Sequence, residues 1–365
     1  MKKIKLFDLS RQYSQLKPIL EHKVSKVLES GQYIMGKNVN LFEDKVSKYL
    51  STKNSITCNS GTDALIIALR CLDIGENDEV ITTPFTYFST IEAILLVGAK
   101  PIFVDIDSDT FNLNANDIEQ KITKKTKAIL GVHIFGHPYD AIKVRKICKK
   151  YNIKMIEDCA QSFGATIDNK QTGTFGDIGC FSFFPTKNLG CAGDGGMLIT
   201  ANSQIANKAR MLRNHGGIQR NVHNLVGYNS RLDEIQAVVL LEKLKLVTKL
   251  NNNRIKIARE YTRSINNNKI ITPNSLNNVK HIYHQYTLIV NNRVKFTNYL
   301  TKNGIPFGVY YPKPAYMQPA VRVKTKSWPK LKVTEAVCKK CVSIPMFPEL
   351  TKEELSTIIN IINEY

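Results

Sequence analysis

Residues 154–161 read Lys-Met-Ile-Glu-Asp-Cys-Ala-Gln, a short apolar run that ends on acidic side chains. A run of this length and composition predicts a buried β-strand that ends at Asp158. Functional groups in open α/β sheets lie at the carboxyl ends of the strands, which is where this aspartate stands. Asp158 can pair with a buried cation or cap a following helix, and this stretch alone leaves both interpretations open.

Runs of the same kind recur on both sides of this stretch and alternate with amphipathic helical segments between about residues 55 and 200. They cover residues 79–82, 101–105, 128–135, 179–183 and 197–200. Several are apolar throughout, as expected for strands that are covered by helices on both faces. The pattern predicts an α/β fold around a mostly parallel sheet.

Beyond residue 230 the pattern changes. Residues 232–265 carry apolar side chains at helical spacing and predict one long helix, which an asparagine-rich break at 266–268 follows. A strand at 285–290, a helix near 293–303 and a terminal helix from Lys352 are predicted after it. We therefore expect a large α/β domain over residues 1–250 and a smaller α+β domain over residues 251–365.

The length of the chain excludes a peptide hormone, a zinc finger or a lone binding module, and its composition is that of an ordinary globular protein. The chain has 365 residues, of which 43% are hydrophobic and 22% charged, and its 51 basic and 31 acidic side chains give a net charge of +20. This charge is compatible with nucleic acid, a membrane surface or a polyanionic small substrate. Basic residues such as those at 143–150 follow helical spacing, which is typical of a solvated helix face and argues against a nucleic-acid groove.

We expect a cytoplasmic protein without membrane contact. Apolar stretches fall short of the roughly 20 residues of a membrane helix, and Asp8 interrupts the basic N-terminus before a signal-peptide core could form. The 8 cysteines are scattered, and several lie in apolar segments, which favours free thiols in a reducing compartment. Cys338 and Cys341 have no further ligands nearby, so we expect both on one face of a C-terminal helix and no metal site.

Two further segments carry candidate chemistry. Residues 59–63, Asn-Ser-Gly-Thr-Asp, open a predicted helix whose free N–H groups form either an anion cradle or an ordinary N-cap. Residues 181–188, Phe-Ser-Phe-Phe-Pro-Thr-Lys-Asn, place Lys187 close to aromatic side chains, a hydroxyl and a glycine-rich stretch. Such surroundings lower the pKa of a lysine and suit Schiff-base chemistry, although among 51 basic residues a surface lysine is the alternative.

Taken in order, these segments form one set: a Gly-Thr helix start, a strand-end aspartate with glutamine three residues later, and a serine with lysine five residues later. The set resembles the DegT/DnrJ/EryC1/StrS sugar aminotransferases, and the resemblance extends from residues 7–9 to residues 344–346. It implies fold type I of the pyridoxal 5′-phosphate-dependent transferases, as in aspartate aminotransferase. Family members that act as dehydratases have histidine in place of the lysine, so Lys187 favours amino transfer.

The resemblance also implies a role for each matching residue. Lys187 would bind the cofactor covalently and later shuttle a proton, and Asp158 would keep the pyridine nitrogen protonated. The other cofactor-binding positions are Gly61, Thr62 and Ser182 at the phosphate, Asp63 beside them, Tyr87 on the ring face, Gln161 against the ring, and Asn229. Asn229 and Arg231 would reach the neighbouring subunit's site, which implies a homodimer with shared active sites.

Residues 30–36, 183–191 and 285–287 are most similar to the family branch that acts on UDP-2-acetamido-2-deoxy-3-oxo-glucuronate. The resemblance implies L-glutamate as amino donor, this nucleotide sugar as acceptor, and an amino sugar for surface polysaccharide as product. The substrate-binding positions would be Tyr33, Arg231, Tyr310 and Tyr311. The branch often has histidine where this chain has Tyr310 and Tyr316, two positions expected near the substrate, which leaves the identity of the sugar open.

Two alternatives to this substrate and this activity remain. The cofactor motifs say little about the sugar, so a 4-keto sugar or a dTDP-linked 3-keto 6-deoxy sugar is an alternative acceptor. A non-catalytic binding or regulatory protein with a basic surface is the alternative of another class. Lys187 together with Asp158 argues against it, because a binding protein has no use for an amine opposite a strand-end carboxylate.

Overall fold

Short strands form three sheets in the structure, a computed structural model that describes residues 4–219, 221–322 and 329–365. In chain order the strands are β1 (Asn54–Cys58), β2 (Glu79–Thr82), β3 (Lys100–Phe103), β4 (Thr126–Val132), β5 (Lys154–Asp158), β6 (Thr166–Ile167), β7 (Lys170–Gln171), β8 (Ile178–Ser182), β9 (Gly196–Thr200), β10 (Ile270–Ile271), β11 (Val279–Lys280), β12 (Tyr286–Val290) and β13 (Cys341–Ile344). The largest sheet has 7 strands in the order β1-β9-β8-β5-β4-β2-β3. Within the described residues, β9 runs in the direction opposite to the other six strands of this sheet, which are parallel to one another. The predicted mostly parallel sheet is therefore confirmed.

The predicted strands at 79–82 and 154–158 coincide with β2 and β5. The other four predicted strands are present, with ends displaced by at most three residues. The largest displacement concerns the apolar run at 128–135, because β4 ends at Val132 and the chain then turns, with a φ of 56° at Phe135. The side chains of this turn are buried, so hydrophobicity alone does not mark the end of the strand.

Helices cover both faces of the large sheet. In chain order the helices are α1 (Leu9–Ser30), α2 (Lys37–Leu50), α3 (Gly61–Cys71), α4 (Ser89–Leu96), α5 (Ala141–Tyr151), α6 (Ser203–Leu212), α7 (Glu234–Leu244), α8 (Val247–Ser264), α9 (Arg293–Lys302), α10 (Pro319–Arg322), α11 (Lys332–Lys340) and α12 (Lys352–Asn363). Successive strand residues face opposite sides, so Ile156 packs in one core and Met155 in another. The apolar runs of the sequence are explained by this two-sided burial.

The single helix predicted at residues 232–265 is wrong. The structure has α7 and α8 instead, and the two helices are separated by Lys245 and Leu246. α7 packs Leu240 into the core beside the large sheet, whereas α8 packs Ile257 into the core of the C-terminal domain. Both halves keep apolar residues at helical spacing, so the periodicity does not reveal the break between the two helices.

The small antiparallel sheet β10-β12-β13 packs with α8, α9 and α12 around a core of its own. This core includes Tyr286 of β12, Phe296 of α9 and Ile358 of α12. α8 places Val247 in the core beside the large sheet and Ile257 in this one. We propose that the two domains divide within α8, near residues 250 and 251.

The C-terminal elements confirm two predictions and correct one. The predicted helices near 293–303 and from Lys352 are α9 and α12. Cys338 lies in α11, but that helix ends at Lys340 and Cys341 begins β13, so the shared helix face expected for the two cysteines is wrong. All eight cysteines are buried and free. None of the described helices is long and apolar enough to cross a membrane.

A buried ion pair holds the strand that leads into α3. Glu43 of α2 accepts hydrogen bonds from the N–H and the hydroxyl of Thr57 in β1, at 2.8 and 2.7 Å, and forms a salt bridge with Arg213 after α6. Arg213 donates in turn to the carbonyl oxygen of Thr57 at 2.9 Å. Both charged residues are buried. The network therefore fixes the end of β1, and with it the start of α3.

Replacing Glu43 by alanine leaves the Arg213 guanidinium buried without its carboxylate. We expect the free energy of unfolding to fall by about 3 to 5 kcal/mol, as when one partner of a buried pair is removed. Glu21→Ala removes a partner from an ion pair that is exposed on both sides, and it should change this free energy by less than about 0.5 kcal/mol. Urea denaturation followed by circular dichroism measures both variants, and equal effects would contradict the anchoring role of the buried pair.

Candidate active site

The predicted site residues converge at one edge of the large sheet. Asp158 ends β5 and pairs with Cys180 of the neighbouring β8. Ser182 ends β8 and pairs with Gly196 of β9, which in turn pairs with the last residue of β1. The carboxyl ends of β5, β8 and β1 therefore meet along this edge, where open α/β sheets bind their ligands.

Asp158 is buried, and its carboxylate is held from two sides. It accepts a hydrogen bond from the N–H of Ala160 at 3.0 Å and another from the hydroxyl of Thr90 at 2.9 Å. Burial raises the pKa of Asp158, while these two hydrogen bonds and the positive charge of Lys187 act in the opposite direction. No helix follows β5 directly, so the helix-cap interpretation is wrong and the interpretation as a buried partner of a cation is the one that the geometry supports.

Lys187 lies in the loop after β8, in a turn where its N–H donates to the carbonyl oxygen of Phe184 at 2.8 Å. Burial lowers the pKa of its amine to about 8, and the carboxylate of Asp158 opposes this shift. An amine with this pKa is neutral in a substantial fraction of molecules near pH 8, and a neutral amine is a nucleophile. The prediction that its surroundings lower the pKa of this lysine is confirmed.

The helix start predicted at residues 59–63 is confirmed, because α3 begins at Gly61 with Ser60 as its N-cap. A Cβ atom at Gly61 would lie 2.6 Å from the Cβ of Ser182, so only glycine lets the helix approach the end of β8 this closely. The first turn of α3, with Thr62, and the Ser182 hydroxyl are consequently neighbours. This arrangement suits a phosphate group, since helix N-termini bind anions through free N–H groups. The carboxylate of Asp63 accepts a hydrogen bond from the Ser230 hydroxyl at 2.6 Å.

The side chain of Gln161 bonds to the turn at Phe135 and to the aromatic side chain of Tyr311. Its side-chain oxygen accepts from the N–H of Phe135 at 2.7 Å, and its amide nitrogen donates to the Tyr311 hydroxyl at 3.1 Å. The Tyr311 ring packs edge-on against Phe85, with 5.8 Å between ring centroids. Tyr87 stands before α4 with 63% of its surface exposed, as expected for a ring that is free to contact a ligand.

Three predicted residues make their contacts away from Lys187 and Asp158 within one chain. The hydroxyl of Tyr33 donates to the carbonyl oxygen of Leu28, and Arg231 donates to the side chain of Asn214 at 3.3 Å. Asn229 is exposed and forms an isolated β-bridge with Asn214. Ser230, between the last two predicted residues, bonds to Asp63, so this segment lies beside the start of α3.

The structure separates the two tyrosines that depart from the family pattern. Tyr310 is half-buried and lies against Gly308, next to Tyr311 of the site. Tyr316 is only 1% exposed, packs on Phe103 and donates to a carboxylate oxygen of Glu335 at 3.0 Å. The side chain of Tyr316 therefore belongs to the protein interior, and the expectation that its position lies near the substrate stays a prediction.

Thr90 is the residue of this site that the sequence reasoning did not single out. Its hydroxyl donates to Asp158 and lies 2.9 Å from the hydroxyl of Thr86. Because Thr90 uses its proton on Asp158, Thr86 donates to Thr90. The two threonines belong to the segment that was noted for Tyr87, but their distance of about 70 positions from Asp158 leaves no local signal of the contact.

Three buried residues of types that bind metals lie together next to Asp158. They are His133, Glu157 and Cys159. The carboxylate of Glu157 already receives hydrogen bonds from three backbone N–H groups of residues 173–176. Its remaining partner is the ring of His133 at 3.0 Å. The carboxylate is thus saturated, and its role is to hold this loop beneath β5.

The model of the DegT/DnrJ/EryC1/StrS aminotransferase family matches residues 15–363. The chain belongs to this family. It is 40% identical over 356 residues to the UDP-2-acetamido-2-deoxy-3-oxo-D-glucuronate aminotransferase of Pseudomonas aeruginosa, covering 97% of this chain and 98% of the relative. It is 39% identical over 359 residues to the UDP-N-acetyl-3-dehydro-alpha-D-glucosamine 3-aminotransferase of Acidithiobacillus ferrooxidans, with 98% and 97% covered. The solved structure of S. venezuelae DesV in complex with a ketimine intermediate superposes with a TM-score of 0.97 at 33% identity, covering 100% of this chain and 98% of that one.

These similarities establish the chain as a pyridoxal phosphate-dependent sugar aminotransferase of fold type I. They confirm the predicted fold, enzyme class and cofactor. The structure itself fits this cofactor: the Lys187 amine has a lowered pKa, the Asp158 carboxylate is buried close to it, and Gly61 opens a cradle that a Cβ atom would fill.

The lowered pKa of Lys187 predicts its reactivity in the cofactor-free protein. Because only the neutral amine reacts with acetic anhydride, labelling of Lys187 should reach half its maximal rate near pH 8. Asp158→Asn removes the charge that favours the ammonium form, so it should move this midpoint to lower pH. Peptide mass spectrometry after brief labelling measures the rate. A midpoint near that of an ordinary lysine, about 10.4, or a rise in the Asp158→Asn variant would contradict the electrostatic description of the site.

Proposed function

We propose that the protein transfers the amino group of L-glutamate to the C-3 ketone of UDP-2-acetamido-2-deoxy-3-oxo-glucuronate, which yields an amino sugar for surface polysaccharide. The observation that carries amino transfer is the Lys187 amine, whose pKa burial lowers to about 8 and whose charge acts on the buried carboxylate of Asp158. The choice of sugar is supported by two relatives, 40% and 39% identical to this chain, that are named for UDP-linked 3-keto sugars.

Pyridoxal phosphate supplies the electron sink that stabilises negative charge on the reacting carbon. Asp158, whose charged form Thr90 and the Ala160 N–H stabilise, would keep the pyridine nitrogen protonated. The neutral amine of Lys187 would accept the proton from the carbon of glutamate and return a proton to the carbon of the sugar. Burial raises the pKa of Tyr311, so its hydroxyl keeps its proton and is available as a hydrogen-bond donor at the site.

Arg231 is the residue that we propose selects a glucuronate. The two sugars named for the relatives differ at C-6, where a glucuronate carries a carboxylate and a glucosamine a hydroxymethyl group. A guanidinium matches a carboxylate with two parallel hydrogen bonds. Arg231 is partly exposed, and its bond to Asn214, at 3.3 Å, is long, so the side chain is available for such a pairing.

A comparison of acceptors tests the proposed substrate. With L-glutamate as donor, kcat/KM for UDP-2-acetamido-2-deoxy-3-oxo-glucuronate should exceed that for the 3-keto glucosamine analogue by at least about tenfold, the worth of one charged contact. Arg231→Ala should remove this preference, whereas activity on the glucosamine analogue should change little. The amino sugar is measured by mass spectrometry. A preference for a 4-keto or a dTDP-linked sugar would contradict the proposed substrate and leave amino transfer intact.

We further propose that the enzyme is a homodimer in which Asn229 and Arg231 complete the partner's active site. Within one chain these residues lie beside the start of α3 without a bond to Lys187 or Asp158. The adjoining loop exposes the apolar side chains of Ile218 and Val226, which are 69% and 85% exposed. Exposed apolar side chains of this kind favour burial against another protein surface.

Mixed dimers test whether the sites are shared. Lys187→Ala should inactivate the enzyme, and Arg231→Ala should lower its activity toward the glucuronate about tenfold, to the level expected for the glucosamine analogue. If Arg231 acts on the partner's site, a mixed dimer has one site with both defects and one site with none. Random pairing in a C2 dimer makes half of the dimers mixed, so co-refolding the variants should restore about a quarter of the wild-type activity. If each site uses its own Arg231, the mixture only reaches the mean of the activities of the two variants refolded alone. The activity of each variant refolded alone is the control.

The compartment that we propose is the cytoplasm. Glutamate and nucleotide sugars are cytoplasmic metabolites, and the eight cysteines are free and buried, as is usual for proteins of a reducing compartment.

A further inference from the structure

Residues 281–285, here termed the crossing segment, run from the small domain across the loops of the active site. The N–H of Ile282 donates to the carbonyl oxygen of Gly136 at 3.1 Å, and the N–H of His284 donates to that of Phe135 at 2.8 Å. The N–H of Phe135 in turn donates to Gln161 at 2.7 Å. One side of the crossing segment is thus bonded to the turn at Phe135 and Gly136, and the N–H of Phe135 holds the side chain of Gln161.

The other side of the crossing segment binds Asn188, the residue directly after Lys187. The side-chain nitrogen of Asn188 donates to the side-chain oxygen of Asn251 in α8 at 2.7 Å and lies 3.4 Å from the carbonyl oxygen of Ile282. Its side-chain oxygen lies 3.1 Å from Nδ1 of His284. Asn188, Asn251 and His284 are all buried. The hydrogen bonds of the Asn188 side chain are therefore made with groups of α8 and of the crossing segment, outside its own loop.

The protonation of His284 follows from these contacts. Burial and the nearby charges of Lys187 and Arg254 hold the pKa of His284 well below its usual value, so the ring is neutral. The amide of Asn188 presents its oxygen to the ring, because its nitrogen faces two acceptors. Nδ1 of His284 therefore carries the proton and donates it to Asn188.

Two further features make the crossing segment rigid. The buried guanidinium of Arg254 lies against the carbonyl oxygens of Tyr283 and His284 and donates to that of Met346 at 2.8 Å. A Cβ atom at Gly136 would lie 2.8 Å from the Ile282 side chain and 3.0 Å from the His284 nitrogen, so no other residue allows this approach. The segment continues directly into β12 of the small sheet.

We propose that His284 is a positioning residue for Lys187: through Asn188 it sets where the reactive amine lies relative to Gln161, which the other side of the crossing segment holds through Phe135. This proposal uses the proposed function only in taking Lys187 as the group that moves the proton. Because the segment belongs to the small domain, the position of that domain is transmitted to the amine. A displacement of about 1 Å in a reacting group lowers a rate by up to about a hundredfold.

Three variants test this role. His284→Phe keeps a ring but removes the donor, whereas His284→Asn keeps a donor at the position of Nδ1. Thr287→Val is the control: Thr287 lies in β12, the strand that follows the crossing segment, and the variant removes its buried hydrogen bond to Ser343, which does not lead to Lys187. We expect His284→Phe to lower kcat about tenfold at an unchanged KM for the keto sugar, because the amine is displaced from the reacting carbon. In the cofactor-free protein the pH midpoint of Lys187 acetylation should rise by about one unit, because the amine becomes more hydrated. His284→Asn should restore both values.

The control separates positioning from stability. Thr287→Val should lower the melting temperature as much as His284→Phe while leaving kcat and the acetylation midpoint of Lys187 unchanged. If His284→Phe loses stability only, with both readouts equal to those of the control, the proposal is wrong. Should His284→Phe not fold, Asn188→Ala removes the other half of the same bond and carries the same expectation. Acetylation requires neither cofactor nor sugar, so a wrong substrate assignment leaves this test valid.

Discussion

Burial of a carboxylate and an amine at the carboxyl edge of a parallel sheet is the constraint on which the rest of the structure depends. Withdrawing charged groups from water is costly, so each needs partners that the fold supplies in advance. Asp158 has the Thr90 hydroxyl and the Ala160 N–H, whereas Lys187 has mainly the charge of Asp158 to offset its own burial. The amine therefore loses its proton more readily than a surface lysine, which is what the chemistry of amino transfer requires.

The same edge requires close packing of backbone against backbone. A Cβ atom at Gly196 would lie 2.1 Å from the carbonyl oxygen of Ser60, and one at Gly61 would meet Ser182. Neither glycine adopts a positive φ, so both are present for lack of a side chain and not for conformational freedom. This packing brings the start of α3 to the end of β8 and the beginning of β9, next to the loop that carries the amine of Lys187.

Local patterns predicted much of the fold. The main error occurred where one helical pattern covers two helices that pack in different cores. The strands at 79–82 and 154–158 and the helix from Lys352 were predicted at their observed ends, because burial and capping mark them within a few residues. The break between α7 and α8 was missed, since both helices bury apolar faces, although most of the buried face of α8 lies in a different core. The contacts of Tyr316 could not be predicted either, because its position in the chain does not show that Phe103 and Glu335 enclose it.

The sequence by itself determined the strand that ends at Asp158, the helix start at Gly61 and the loop of Lys187, and their order was enough to indicate the family. Each of these is a local pattern, because strand burial, helix capping and turn geometry involve neighbours in the chain. Only the tertiary structure decided which groups touch: Thr90 bonds to Asp158 across 68 positions, and His284 to Asn188 across 96. No local propensity encodes such contacts, because they depend on the packing of whole elements that bring distant side chains together.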